Sequence, residues 1–477
     1  MSVIKDKENY SSKAIKAGVW YTISAVLLRS ISIITTPIFT RLLSTEDYGV
    51  VTSFTSWYSL LLPICSLNLT YSVAKAKEDF DDNIKQYIGS MTLLSLIFTL
   101  LVALVSFLNI NLTEKILGFD PLIIGLLFSY LACMEVVQLY QTECRFLYRF
   151  KTNVLISIII TIGSVIASLF LIISSTHNRY IARIFGIVIP VFVIAIFILL
   201  KIIKQRSFSF NVERNINYWK YALQISVPLI FHVVSISILT QSDRVIIASL
   251  RGNAEAGIYG LSYQYGILIS VMTNAICEAW QPWFFDVYRE RNNEKINSAI
   301  PGITELGCMV CLGCIAISPE AIWILGGDAY RVGIWVVTPV SLSILCQYVY
   351  SHYVNIEMYY KKTSYISFGT IIAATLNIVL NYLFIPRYGF IAAGYTTFAS
   401  YVVLMLVHFL ITKKILHVKL YNDLYLFLMV FIVSVIAFAF TMLFERTVER
   451  YILLGLLCVL YFIRNRNSLM NILKKKF

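Results

Sequence analysis

Ala17-Gly-Val-Trp-Tyr-Thr-Ile-Ser-Ala-Val-Leu-Leu-Arg29-Ser-Ile-Ser-Ile-Ile-Thr-Thr-Pro-Ile-Phe-Thr40 is an apolar run interrupted by one charge, Arg29, and framed by Lys16 and Arg41. At about 1.5 Å per helical residue, those flanking charges lie about 18 to 20 Å from Arg29. Snorkelling to either surface is therefore hard. A charge inside a bilayer costs at least about 2.5 to 3.5 kcal/mol and faces a wet cavity or a partner. The run fixes two expectations: the chain crosses a membrane here, and Arg29 serves a function there.

Working outward, the same pattern recurs along all 477 residues, of which 58% are hydrophobic and 14% charged. Soluble domains average about 25% charged residues. Mean hydropathy is +0.75. Apolar segments long enough for a helical span lie near 17–40, 49–73, 88–110, 119–142, 153–174, 183–203, 221–241, 257–280, 299–319, 334–358, 365–385, 391–412 and 423–443. A shorter one lies near 451–463. The chain is thus expected to be an all-α polytopic membrane protein with about 14 transmembrane helices. The basic stretch before Ala17 and the length of the first run predict a retained first span rather than a cleaved signal.

Lys and Arg divide unevenly between alternate connections. With the N-terminus on the cytoplasmic side, 28 of the 39 fall on inner segments, 10 on outer ones, and Arg29 on neither. That is the positive-inside pattern, and it predicts that both termini are cytoplasmic. Inner loops facing anionic headgroups account for the net charge of +13, so no nucleic-acid partner is expected. The longest connection is Lys204-Gln-Arg-Ser-Phe-Ser-Phe-Asn-Val-Glu-Arg-Asn-Ile-Asn-Tyr-Trp-Lys220, too short for a soluble domain. No Gly-x4-Gly-Lys-Ser/Thr phosphate loop occurs. Work done by this chain alone must therefore be driven by a gradient or by mass action. Cys308, Cys311 and Cys314 lie in an apolar stretch without a nearby His and read as small packing residues; no metal and no cofactor are expected.

Three pairs of short motifs repeat at nearly one offset. Arg179-Tyr-Ile-Ala-Arg-Ile-Phe-Gly186 matches Arg387-Tyr-Gly-Phe-Ile-Ala-Ala-Gly394, Lys151-Thr152 matches Lys362-Thr363, and Tyr48-Gly49 matches Tyr259-Gly260. Each pair falls on one consistent side of the membrane. The implied unit is six spans, an even number that preserves orientation, as in transporters built from two parallel halves. The expected organisation is a half at 1–203, a cytoplasmic linker at 204–220, a second half at 221–412, and an extra helix pair with a basic tail at 413–477. In such transporters substrate binds between the halves near the midplane. Thr22, Arg29, Ser32, Thr36 and Thr40 share one face of the first helix, opposite a Val, Leu and Ile face. A polar stripe with one cation suits a span that lines a water-filled cavity.

The motifs also resemble a family. Pro37-Ile-Phe-Thr-Arg-Leu-Leu-Ser-Thr-Glu-Asp-Tyr-Gly49, Asp243-Arg244 followed by Ala256-Gly-Ile-Tyr-Gly260, and Ile385-Pro-Arg-Tyr-Gly-Phe-Ile-Ala-Ala-Gly394 resemble the signature of Wzx-type repeat-unit flippases. These form the polysaccharide-transporter branch of the multidrug/oligosaccharidyl-lipid/polysaccharide exporter superfamily. The resemblance covers spans 1 to 12 and departs at Thr45, where the family often has Pro, and at Leu250-Arg-Gly252. An extra C-terminal helix pair is commoner in lipid II flippases of the MurJ type. The resemblance implies a MATE-like fold in a bacterial inner membrane. It further implies a flippase that turns a polyprenyl-pyrophosphate-linked oligosaccharide, such as an O-antigen repeat unit of lipopolysaccharide, to the outer leaflet. Membrane lipids and the polymerase and chain-length machinery are the implied partners, and no enzymatic chemistry is implied.

Such a cargo needs cations for the pyrophosphate and polar or aromatic walls for the sugars. Arginine suits the first role because its planar fork meets phosphate oxygens bidentately. Arg29 is the first candidate, with Thr22, Ser32 and Thr36 beside it and Arg244 and His232 from the seventh span. Glu135, Asp243, Glu278 and Glu305 are candidates for coupling to Na+ or H+. Arg145, Arg149 and Lys151 form an inner basic cluster suited to cargo entry. Three alternatives share parts of the pattern. A drug/cation antiporter shares the architecture but would favour acids over Arg in the first span. A membrane glycosyltransferase or polymerase would expose a sizeable outer loop, and a scaffold gives no reason for the polar stripe.

Overall fold

The computed structural model describes residues 20, 24, 27–80, 83–205 and 211–474, with side chains to residue 466, and among them there is no β-strand. Ten of the described helices are long and apolar enough to cross a membrane. An eleventh follows if the bent pair Thr45–Cys65 and Leu69–Asp79 is one span. The chain is an all-α polytopic membrane protein. It divides into two compact units, Met1–Ser249 and Leu250–Phe477.

In the first unit, helix α1 covers residues 27–42 and hands over to α2 (Thr45–Cys65). Ser44 caps α2, its Oγ accepting from the Asp47 amide at 3.0 Å. Glu46 and Asp47 add negative charge to the first turn, where the helix dipole favours it. The sequence predicts one continuous span over 49–73, but α2 stops at Cys65. Leu67 and Asn68 both take positive φ, 48° and 53°, so the helical ladder cannot run through. A 3-10 turn (Leu69–Tyr71) and α3 (Ser72–Asp79) resume at an angle of 57°. There follow α4 (Ile84–Leu108), the short α5 (Ile110–Leu117), α6 (Pro121–Phe146), α7 (Phe150–Ser174), α8 (Arg179–Lys204) and α9 (Val212–Arg251).

The apolar core of this unit joins α2, α6 and α8 through Phe54, Ile124, Leu127, Leu131 and Ile184, all fully buried. A second cluster ties Tyr87 of α4 to Tyr218 of α9, with Phe80 stacked on Tyr87. Residues Val212 to Ser249 of α9 fall within the first unit, whereas the sequence repeat places most of α9 at the start of a second half. Gly186 lets α8 close directly on α7: a Cβ there would sit 2.5 Å from the Ser168 Cα.

The second unit contains α10 (Asn253–Arg289), α11 (Asn293–Gly326), a 3-10 turn (Asp328–Gly333), α12 (Ile334–Tyr359), α13 (Thr363–Tyr388), α14 (Ile391–Leu410), α15 (Asp423–Met442) and α16 (Thr447–Lys474). Helix α12 is buried over most of its length. The short apolar segment near 451–463 lies inside the 28-residue α16. Two acids of α11 hold α16 in place. Glu320 pairs with Arg450, which is wholly buried and also donates to the Phe444 carbonyl at 2.9 Å. Glu305 accepts from Arg464 and Asn465 of α16, both at 2.9 Å, and from Tyr425 of α15 at 2.8 Å.

Candidate functional site

Helix α6 carries Glu135, Gln138, Thr142 and Arg145 at spacings of three, four and three, which put them on one face. The lower part of that face opens on a cavity of about 550 Å³ with mixed polar and apolar walls, lined by Thr70, Tyr71, Ala74, Gln138, Gln141, Thr142, Arg145 and Phe146. The broken span builds the opposite wall, because Thr70 and Tyr71 follow directly on the left-handed residues Leu67 and Asn68. Gln141 is braced by Ser157 of α7 at 2.9 Å, and the Thr142 hydroxyl donates to the Gln138 carbonyl at 2.7 Å. Arg145 is exposed at the rim. Amides and hydroxyls both donate and accept, while the guanidinium only donates. The cavity thus offers two-way partners for sugar hydroxyls beside a cation for an anion.

Higher on the same face Glu135 is 1% exposed. Thr99 Oγ1 of α4 lies 2.7 and 2.9 Å from its two carboxyl oxygens and 3.3 Å from the Cys65 carbonyl at the end of α2. A carboxyl in such a place is either neutral, holding a proton, or ionised beside a cation.

The other predicted residues fall into four groups. In α1, Arg29 and Ser32 are exposed, while Thr36 and Thr40 are buried. The Thr36 hydroxyl donates to the Ser32 carbonyl at 2.8 Å and that of Thr40 to the Thr36 carbonyl at 3.1 Å. Each of those bonds stays within α1; Thr22 lies outside the described residues. In α9, Arg244 is 5% exposed and donates to the Thr240 carbonyl at 2.8 Å and to Gln241 Oε1 at 2.6 Å. Ser56 of α2 donates to the same oxygen at 3.3 Å. Asp243 is buried beside it, and His232 is half-buried three turns earlier.

At the C-terminal end of α6, Arg149 pairs with Glu143 at 3.7 Å and Lys151 is exposed. Of the basic cluster Arg145 alone lines the cavity. In the second unit Glu278 is exposed on α10, and Glu305 is engaged by Arg464, Asn465 and Tyr425, which gives it a structural partner set.

Further polar groups were not anticipated from sequence. In α8, Arg183 sits 3.8 Å from the centre of the Phe39 ring and donates to Ser168. In the second unit Asn377 donates to Thr397 at 3.1 Å and Asn381 to Asn377 at 3.2 Å, all three buried. Glu357 and His408 form a wholly buried pair at 2.9 Å. The i,i+4 spacing of Asn377 and Asn381 inside an apolar run was the available signal. Glu357 and His408 gave none, since 51 residues separate them.

Several known proteins are similar to this chain. The family model described as "Polysaccharide biosynthesis protein" matches residues 15–288, more than half of the chain. "Lsg locus putative protein 1" of Haemophilus influenzae is 20% identical over 282 residues, 58% of this chain and 68% of that protein. Among solved structures, the lipid II flippase MurJ in an inward closed conformation superposes with a TM-score of 0.72 at 14% identity, covering 94% of this chain and 100% of MurJ. An inward-facing multidrug resistance MATE transporter of the MOP superfamily gives 0.60 at 14% identity, covering 83% of this chain and 96% of the transporter. The fold is that of flippases and exporters, and the chain belongs to the polysaccharide biosynthesis protein family.

Proposed function

We propose that this protein flips a polyprenyl-pyrophosphate-linked oligosaccharide repeat unit from the cytoplasmic to the outer leaflet of a bacterial inner membrane. The observation that carries this reading is the cavity on α6, where Arg145 stands beside Gln138, Gln141 and Thr142. The lipid tail of such a cargo can stay in the bilayer, whereas its sugars and pyrophosphate cannot. In this reading Arg145 receives the pyrophosphate at the inner face, assisted by Arg149 and Lys151. Arg29 holds it during the crossing, with Thr22, Ser32, Thr36, His232 and Arg244 along the route. The two six-span halves, 1–203 and 221–412, alternate access around it, with both termini cytoplasmic and 413–477 as an added helix pair. An ion gradient drives the cycle through an intramembrane acid. The glycan passes to a polymerase and chain-length machinery, as in O-antigen assembly.

Deleting the gene tests the proposal. The undecorated surface should be accompanied by a lipid-linked repeat unit that accumulates on the cytoplasmic face; normal surface glycan would overturn it. The MATE-type fold favours a second reading, a drug/cation antiporter. Gradient-driven uptake of a small labelled cation by the purified protein, with no accumulated lipid-linked sugar in the deletion strain, would select it.

A further inference from the structure

The last carbonyl of α2 has lost its helical partner. In a continuous helix the Leu69 amide would bond the Cys65 carbonyl; here it bonds the Ser66 carbonyl at 3.2 Å. Helix ends leave such carbonyls to be satisfied from outside. The group within reach is Thr99 Oγ1 of α4, at 3.3 Å. The same hydroxyl lies 2.7 Å and 2.9 Å from the two oxygens of Glu135. A hydroxyl has one proton to donate, so it cannot serve both acceptors at once.

We infer that Glu135 is a proton-binding site that sets the state of the broken span through Thr99 and the Cys65 carbonyl. This inference rests on the flippase reading, for which it supplies the coupling ion and the device that the ion moves. When Glu135 is ionised, Thr99 donates to the carboxylate and the Cys65 carbonyl is unserved. When Glu135 takes a proton, its own O–H donates to Thr99 Oγ1, and the Thr99 proton turns to the Cys65 carbonyl. Loading therefore pins the end of α2 in its broken form, and unloading releases it. The released segment is the cavity wall, since Thr70 and Tyr71 lie five and six residues beyond Cys65. Gln138, one turn along α6 from Glu135, lines the same cavity. Proton and cargo thus meet on one helix face and one break.

Ser95 of α4, whose hydroxyl donates to the Thr92 carbonyl at 3.2 Å, lies beside the carboxyl, and the titratable groups facing it are Tyr58 and Cys65 of α2 and Cys133 of α6. Of the cations of α8, Arg183 bonds Ser168 and covers the Phe39 ring, and Lys201 bonds the Tyr140 hydroxyl.

Infrared difference spectroscopy of the purified full chain across a pH step reads the site directly. A protonated-carboxyl stretch should appear on acidification. It should vanish in Glu135→Gln, shift in Thr99→Val and return to its position in Thr99→Ser. In proteoliposomes carrying the lipid-linked repeat unit, a gradient acid on the outer side should stimulate translocation by wild type and Thr99→Ser. Glu135→Gln and Thr99→Val should lose that stimulation. If Glu135→Gln does not fold, the Thr99 pair carries the test. Absence of the carboxyl band, or stimulation by Na+ alone, overturns the inference while leaving the flippase reading standing. Failure of wild type to translocate the repeat unit under any gradient strikes the flippase reading instead.

Discussion

Gly186→Ala is expected to destabilise the first unit strongly. The new Cβ would lie 2.2 Å from Ser168 Oγ and 2.5 Å from both the Cα and the N of Ser168. Carbon atoms rest at about 3.5 to 4.0 Å, so α7 must move away from α8 by about 1 Å. The clash is with backbone, which no rotamer change relieves. Overpacking costs about 1 to 3 kcal/mol, and this site belongs at the upper end. The shift also displaces Ser168 from Arg183, loosening the cation that covers Phe39. Gly394, the repeat counterpart of Gly186, meets the Pro339 ring at 2.9 Å, so Gly394→Ala should cost less. Gly313 has nothing within 4 Å, so Gly313→Ala should be neutral or gain up to about 1 kcal/mol of helix propensity. Recovery of monodisperse protein in detergent after graded heating measures all three. Equal midpoints for Gly186→Ala and Gly313→Ala would refute the packing account.

Arg450→Met should destabilise by about 3 kcal/mol, the low end for breaking a buried pair, because the Glu320 side chain it abandons keeps 37% exposure and can hydrate; adding Glu320→Leu should recover most of the loss in the same heating assay. Arg29→Ala, with insertion confirmed, should abolish surface glycan, while Arg29→Lys should rescue it only in part if the bidentate fork matters. Arg145→Ala together with Gln138→Leu should weaken binding of the lipid-linked repeat unit to purified protein, with heating midpoints unchanged because both residues line an open cavity.

The membrane-spanning class was legible because hydrophobic runs and the Lys/Arg distribution report on solvent, and a bilayer imposes that pattern locally. The matched glycines of the 179–186 and 387–394 motifs had a local cause as well, since Gly186 and Gly394 both mark close helix approaches. The break at Leu67 and Asn68 was not legible. Neither residue is Gly, and the surrounding hydropathy continues through the kink, which tertiary contacts such as Thr99 with Cys65 stabilise. Glu305 shows the same limit in the site. An acid in a span reads as an ion ligand until Arg464, 159 residues later in the chain, is found against it. Arg145 was picked as one of three basic neighbours, and the structure alone separates it from Arg149 by giving Arg149 a partner in Glu143.

The central claim is translocation of a lipid-linked sugar, and reconstitution tests it most directly. Purified protein is placed in liposomes whose polyprenyl-pyrophosphate-linked repeat unit carries a label, and an impermeant glycosidase reports the fraction exposed outside. Exposure should rise to completion with wild type and stay near half with Arg29→Ala. Equal exposure with wild type, Arg29→Ala and protein-free liposomes would contradict the account.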